Sequence, residues 1–189
     1  MEIKQYIKDS IRTKQSIVDN DLIINQINTI ADVIVDAYKA GNKVMTSGNG
    51  GSAGDAQHIA GELVSKFNFD RPPLAAIVLN TNSPLLTAIS NDYGFEESFA
   101  RQVRANGKAG DVFIAISTSG NSKNIIRAIN DANDIGVITV GLVGQNPSQM
   151  DKICKYLIKI PSTDTPKIQE SQIMIGHIIC GLVEERMFL

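Results

Sequence analysis

The sequence predicts an α/β fold: a three-layer sandwich in which a five-stranded parallel sheet is flanked by helices, with an N-terminal helical arm ahead of it. Two observations carry this. From residue 43 onward, short apolar runs alternate with stretches patterned as helix, the order that yields parallel strands joined by right-handed crossovers. The clearest run, Asp111–Ser117 (Asp-Val-Phe-Ile-Ala-Ile-Ser), is apolar throughout its centre, as a strand covered on both faces must be. Five such units are too few for an eight-stranded barrel.

Taken in order, residues 2–40 read as two helices broken near Asn20-Asp21. Ile3, Ile7 and Ile11 recur every four residues, and Ile23, Ile27, Ile30 and Val33 at three and four. That stripe must be covered by the sheet or by another subunit. Lys43–Ser47 is a strand and Gly51–Phe67 the helix after it. Leu74–Leu79 is the next strand, followed by helices over Ser83–Ser90 and Glu96–Asn106. Asn121–Asn133 is a helix, Val137–Leu142 and Tyr156–Ile160 are strands, and Lys167–Met187 is the last helix. No repeat, linker or low-complexity tract divides the chain. Residues 1–189 are therefore expected to form a single domain, with an arm over 1–40 and an α/β core over 41–189.

Composition excludes several classes of function. A net charge of -2 and a pI near 5.7 leave no basic footprint for nucleic acid. The N-terminus, Met1-Glu-Ile-Lys-Gln-Tyr-Ile-Lys, has no continuous apolar core for a signal peptide. Ile173–Val183 is the longest apolar stretch and falls short of the roughly 20 residues that span a bilayer. Cys154 and Cys180 lack metal-type spacing and read as buried thiols of a reducing compartment. The expectation is a soluble, cytoplasmic protein.

Two loops carry most of the chemical information. The first, Ser47-Gly-Asn-Gly-Gly-Ser-Ala-Gly-Asp55, follows a strand and opens a helix. It matches neither Gly-x-Gly-x-x-Gly nor the Gly-Lys-Ser/Thr of a nucleotide P-loop. The second, Ser117-Thr-Ser-Gly-Asn-Ser122, ends the best strand in the same way. One helix cap needs one hydroxyl, whereas four in six residues suit a cradle of O–H and N–H donors for an anion. Two cradles on one sheet point to a small phosphorylated ligand.

His58 and Glu62 are four apart, on one face of the helix that the first loop opens. Such a pair is commonly surface electrostatics, but here it lies within two turns of the proposed phosphate. His177, the other histidine, sits amid apolar residues of the last helix, which starts near Gln169 and Glu170. Asn91-Asp92-Tyr93-Gly94 reads as a turn.

Together these motifs resemble the sugar isomerase (SIS) domain family, and within it the phosphoheptose isomerases. The likeness is carried by Ser-Gly-Asn-Gly-Gly-Ser at 47–52 with Asp55-Ala-Gln-His58-x-x-x-Glu62, by Asn91-Asp-Tyr-Gly-Phe95, by Gly110-Asp-Val with Ile116-Ser-Thr-Ser-Gly-Asn-Ser122, and by Ile168-Gln-Glu170 leading to His177. The resemblance implies a single SIS domain of flavodoxin-like type and an aldose–ketose isomerase. It implies conversion of D-sedoheptulose 7-phosphate to D-glycero-D-manno-heptose 7-phosphate, an early step of bacterial heptose and lipopolysaccharide synthesis. A homotetramer with sites at subunit interfaces, and one zinc ion per subunit, are implied as well.

By position, the resemblance assigns the phosphate to Ser52, Ser117, Thr118, Ser119 and Ser122. It assigns the sugar to Asn49, Gly50, Gly51, Asn91 and Asp92, with Glu62 and Gln169 also touching substrate. His58, Glu62, Gln169 and His177 would surround the metal, with Glu62 as base and His177 as acid. Lys66 stands where the family commonly has Arg, and Gln172 where it has His. Gln169 and His177, eight residues apart, are separated by about 12 Å along a helix, so their side chains must converge or come from different subunits. Two other readings are a non-catalytic sugar-phosphate-binding relative of the type that associates with the replication initiator, and an isomerase of another sugar phosphate. In the non-catalytic relatives the glutamate and final histidine are typically replaced; here both are present.

Overall fold

The computed structural model describes residues 2–189. Two helices lead, α1 (Ile3–Val18) and α2 (Asp21–Lys39), with the Asn20 side chain capping the second by accepting from the Leu22 and Ile23 N–H groups. The core then runs β1 (Val44–Gly48), α3 (Gly51–Val64), β2 (Ala76–Val78), α4 (Ser83–Tyr93), a 3₁₀ turn (Phe95–Glu97), α5 (Ala100–Asn106), β3 (Val112–Ile116) and α6 (Lys123–Asp134). It closes with β4 (Ile138–Gly144), α7 (Met150–Ile153), β5 (Tyr156–Ile160) and α8 (Thr165–Phe188).

All five strands are parallel, in the order β2-β1-β3-β4-β5. The expected three-layer sandwich is what forms. Along β3, Val112, Ile114 and Ile116 join one hydrophobic cluster with α2, α3 and α8. Phe113 and Ala115 join the other, with α5 and α6. Alternate side chains point to opposite faces, so a strand covered on both sides must be apolar at every position.

Most boundaries shift by one to three residues from the expectation, β2 shrinking from 74–79 to Ala76–Val78. Gly94, at φ 90°, ends α4 only after Tyr93, so Asn91 and Asp92 occupy its last turn. The stretch expected as one helix over 96–106 begins as a 3₁₀ turn and becomes α-helical at Ala100. Helix α3 stops at Val64, short of Phe67, and the four-residue α7 is too short to show a period.

Of α1 only Thr13 and Ile17 are buried, while Ile3, Ile7 and Ile11 are 70%, 52% and 59% exposed. The α1 part of the apolar stripe is therefore left uncovered by this chain, whereas Ile23, Ile27 and Ile30 of α2 are buried in the core.

Where the arm joins the core, the buried carboxylate of Asp111 accepts from Lys43 Nζ at 2.5 Å, the Lys43 N–H at 3.0 Å and the Lys108 N–H at 2.9 Å. Removing it strands three donors, one of them charged. Asp111→Ala should cost about 3 kcal/mol of stability, measured by urea denaturation.

Candidate active site

The sheet order places a switch point between β1 and β3, whose outgoing connections run to opposite faces. In open α/β sheets, ligands bind at this crevice beyond the strands' C-terminal ends. Both loops singled out in the sequence are there, one after β1 and one after β3, each opening a helix.

The two loops are tied together. Asn49 of the first exchanges two amide hydrogen bonds, at 2.9 and 3.0 Å, with the buried Asn124 of α6. Asn80 holds the end of β1 from its other side: its amide accepts from the Gly48 N–H at 3.2 Å and donates to the Gly48 carbonyl at 2.8 Å. The side chain thus continues the ladder where β2 has ended. Asn80 and Asn124 carry no ligand chemistry, and the sequence reading missed them. Only the density of asparagine after Leu79 hints at such a bracket.

In the second loop, Ser117 Oγ lies 3.1 Å from Ser122 Oγ and accepts from the Gly120 N–H. Ser122 occupies the cap position of α6 but makes no side-chain cap bond. No side chain caps α3 or α8 either. Some first-turn N–H groups are already used, Ser52 and Ala53 donating to the Asn49 and Gly50 carbonyls and Ile125 to the Asn124 amide oxygen. The others, with the positive dipole ends, remain available to an anion. Beside Thr118 and Ser119 lies a cavity of about 200 Å³, lined also by Gly144, Asn146, Thr163 and Thr165. Ser52 is buried in the first turn of α3.

Helices α3 and α8 lie side by side and run in the same direction, because Gly51 meets Gln169, Ile59 meets Gly176, and Phe67 meets Gly181 in turn. Gly176 permits the close approach: a methyl group there would stand 2.7 Å from the buried Ile59 side chain. One residue further on, His177 reaches across, its Nε2 2.8 Å from His58 Nε2. His58 Nε2 in turn lies 3.0 Å from Glu62 Oε1. One donor atom from each of His58, Glu62 and His177 fits within 4.8 Å of the others, a group that could hold a metal ion. Gln169 is at the loop end of the same helix pair, its amide packed so that a methyl on Gly51 would fall 2.5 Å from Nε2. A single chain therefore brings the three groups together without help from another subunit.

Other residues fall outside this cluster. Asn91 and Asp92 are exposed at the end of α4, where the Asn91 amide donates to Asp92 at 2.8 Å. Lys66 is exposed past the end of α3. Gln172 is buried and donates to the Leu142 carbonyl at 2.8 Å, so it serves the sheet. Burial, aided by the charge of Glu62, pushes the Cys180 thiol up to about 12, which removes it as a nucleophile.

Asp55, one turn ahead of His58, has a buried oxygen with no hydrogen-bond partner. Burial, opposed by the nearby His58, raises its carboxyl to about 6. A folded-state value above the unfolded one means the folded protein holds the extra proton between about pH 4 and pH 6. This contribution is present at acid pH and is lost as pH rises through that window. Asp55→Asn has no charge to desolvate. It should be more stable than the parent above pH 6 and lose that advantage near pH 4, read by chemical denaturation of chelator-treated protein.

Two glycine- and hydroxyl-rich loops at a switch point thus lie at one end of a helix pair that carries a carboxylate and two imidazoles. Residues 5–144 match the family model described as the SIS domain, and the chain belongs to that family. It is 53% identical over 186 residues to the phosphoheptose isomerase of Aneurinibacillus thermoaerophilus, covering 98% of this chain and 94% of that one. It is 54% identical over 186 residues to phosphoheptose isomerase 2 of Campylobacter jejuni, covering 98% and 92%. Among solved structures, a phosphoheptose isomerase from Francisella tularensis superposes with a TM-score of 0.93 at 32% identity, covering 97% of this chain and 96% of that one. One from Neisseria gonorrhoeae gives 0.90 at 35% identity, covering 97% of each.

Proposed function

We propose that the chain interconverts D-sedoheptulose 7-phosphate and D-glycero-D-manno-heptose 7-phosphate. The observation that carries the chemistry is the convergence of Glu62, His58 and His177 on neighbouring turns of two helices whose N-terminal ends meet the phosphate-type loops. The heptose itself is supported by the relatives at 53% and 54% identity.

Ketose-to-aldose isomerisation moves one proton between adjacent carbons through an enediol. In this reading Glu62 takes the proton from carbon 1 and returns it to carbon 2, while His177 carries a proton from the oxygen on carbon 1 to that on carbon 2. Ser52, Ser117, Thr118, Ser119 and Ser122 hold the phosphate, far from the reacting carbons, and binding energy gained there positions the other end. Asn49, Gly50, Gly51, Asn91, Asp92 and Gln169 are assigned to the sugar. The presence and convergence of Glu62 and His177 favour an enzyme over a non-catalytic binding protein.

The donor set also fits zinc. Tetrahedral zinc with bonds of about 2.0–2.1 Å places neighbouring ligand atoms about 3.3 Å apart. Two separations here are 2.8 and 3.0 Å, and the three donor atoms all lie within 4.8 Å of one another. His58, Glu62 and His177 would hold it, with Gln169 assigned beside them by the family resemblance. A bound zinc ion supplies Lewis-acid stabilisation of the charge that develops on the sugar oxygens.

A homotetramer is the proposed assembly, supported by the exposed Ile3, Ile7 and Ile11 stripe. A cytoplasmic location is proposed with it; among the described residues no helix is long and apolar enough to cross a membrane.

Purified protein given sedoheptulose 7-phosphate should form the aldose, with an aldehyde-derived anomeric proton appearing in the NMR spectrum. No turnover of this ketose, alongside turnover of a hexose phosphate, would replace the heptose reading with the other sugar-phosphate reading. Chelation followed by elemental analysis should remove both zinc and activity, and zinc should restore them.

A further inference from the structure

We propose that Arg71 and Glu184 are a positioning pair for this site, locking the last turn of α3, and with it Glu62, in register with His177 on α8. The inference rests on the catalytic reading above and assigns residues that do not touch the substrate.

The geometry begins with a problem of helix ends. Glu62 lies in the final turn of α3, where carbonyls lack partners within the helix and helices fray. Arg71 supplies partners for two of them, Leu63 also accepting from the Leu74 N–H at 3.1 Å. Its Nη2 donates to the Glu62 carbonyl at 2.7 Å, and its Nη1 to the carbonyls of Leu63 at 2.7 Å and Pro72 at 3.1 Å. The positive charge also suits the negative end of the helix dipole.

Glu184 fastens this assembly to α8. It accepts from Arg71 Nε at 3.0 Å, from the Phe67 N–H at 2.8 Å and from the Asn68 N–H at 2.6 Å. The two side chains are 2% and 0% exposed. Burial alone would push the Glu184 carboxyl up, but the two backbone donors and the guanidinium outweigh it and hold the group below its ordinary range. Glu184 lies seven residues from His177, two turns along the same face of α8. The chain leaving α3 and the helix bearing His177 are thus pinned at one point. Burying an ion pair is a poor route to stability, because apolar residues of similar volume often serve as well. Fixing register is the best-attested use of a buried, fully hydrogen-bonded polar group.

Arg71→Lys keeps the charge and loses the planar fork. Glu184→Gln keeps the shape and loses the charge. Each variant is measured for kcat and KM with sedoheptulose 7-phosphate, for zinc affinity by competition with a chromogenic chelator, and for Tm. Ile129→Val, in α6 on the other face of the sheet, serves as a control for lowered stability. The expected result is a 10–100-fold fall in both kcat and zinc affinity, the range seen when groups supporting metal ligands are removed. KM should stay within about twofold, because the phosphate loops are at the opposite end of α3. If Arg71→Lys does not fold, Glu184→Gln decides. Parental kcat and zinc affinity in a folded variant with lowered Tm would overturn the proposal, as would an equal loss of kcat in Ile129→Val. An inactive parent would overturn the isomerase reading, while zinc affinity would still test the clamp.

Discussion

Glu62→Gln should lower kcat for sedoheptulose 7-phosphate by about a thousandfold, within the 10²–10⁴ range that a positioned proton-transfer group contributes. The amide preserves shape and cannot take a proton from carbon. KM should move little, since the phosphate loops are untouched. His177→Gln should cause a loss of similar size, because proton traffic between the two oxygens would fall to water. The double variant should be scarcely slower than either single one, as befits groups acting as a unit. The assay is aldose formation followed by NMR, with circular dichroism to show that each variant is folded. Full activity in both single variants would remove the assigned acid–base pair and leave a binding protein.

The second large effect concerns affinity. Ser117→Ala with Ser122→Ala removes two hydroxyls 3.1 Å apart in the loop that ends β3. A hydrogen bond to a charged group contributes about 1.5–3 kcal/mol, so the pair should raise KM at least a hundredfold. The kcat should be much less affected, the reverse of the Glu62 result. Inorganic phosphate should also become a poorer competitor of the variant. An unchanged KM would move the anion to another part of the site. The contrast separates grip from chemistry, which structure alone describes only as two ends of one helix.

Much of this was legible in the sequence because the signals are local. The run Val112–Ile116 can be read as a doubly covered strand without knowing what covers it. The hydroxyl-rich loops announce themselves by composition, and His58 with Glu62 by helical spacing. What could not be read is how one helix docks on another. In the sequence His177 sits amid apolar residues with nothing to place it near His58, and it is the Gly176–Ile59 contact that brings the two together. The separation of Gln169 and His177 looked like a difficulty until α8 was seen to run alongside α3, each residue meeting a different turn. Arg71 and Glu184 are 113 residues apart, and nothing in either segment announces the other. Asn91 and Asp92 were brought in by family resemblance; the structure puts them on the end of α4 and shows no bond from them to the loops.

The side-by-side run of α3 and α8 has a consequence for which sugars can react. In the proposed reading the phosphate is held near Ser52 and the proton-handling groups stand further along the same rod, so the rise of the helix would act as a gauge. Ser52 to Glu62 is about 15 Å along the axis, a span shared between the sugar and the side chains that reach it. A ketose phosphate one carbon shorter, anchored by the same charged end, would carry its carbonyl one bond nearer the loops and further from Glu62. Chain length would then be measured by backbone geometry, with no pocket wall needed to exclude the smaller sugar.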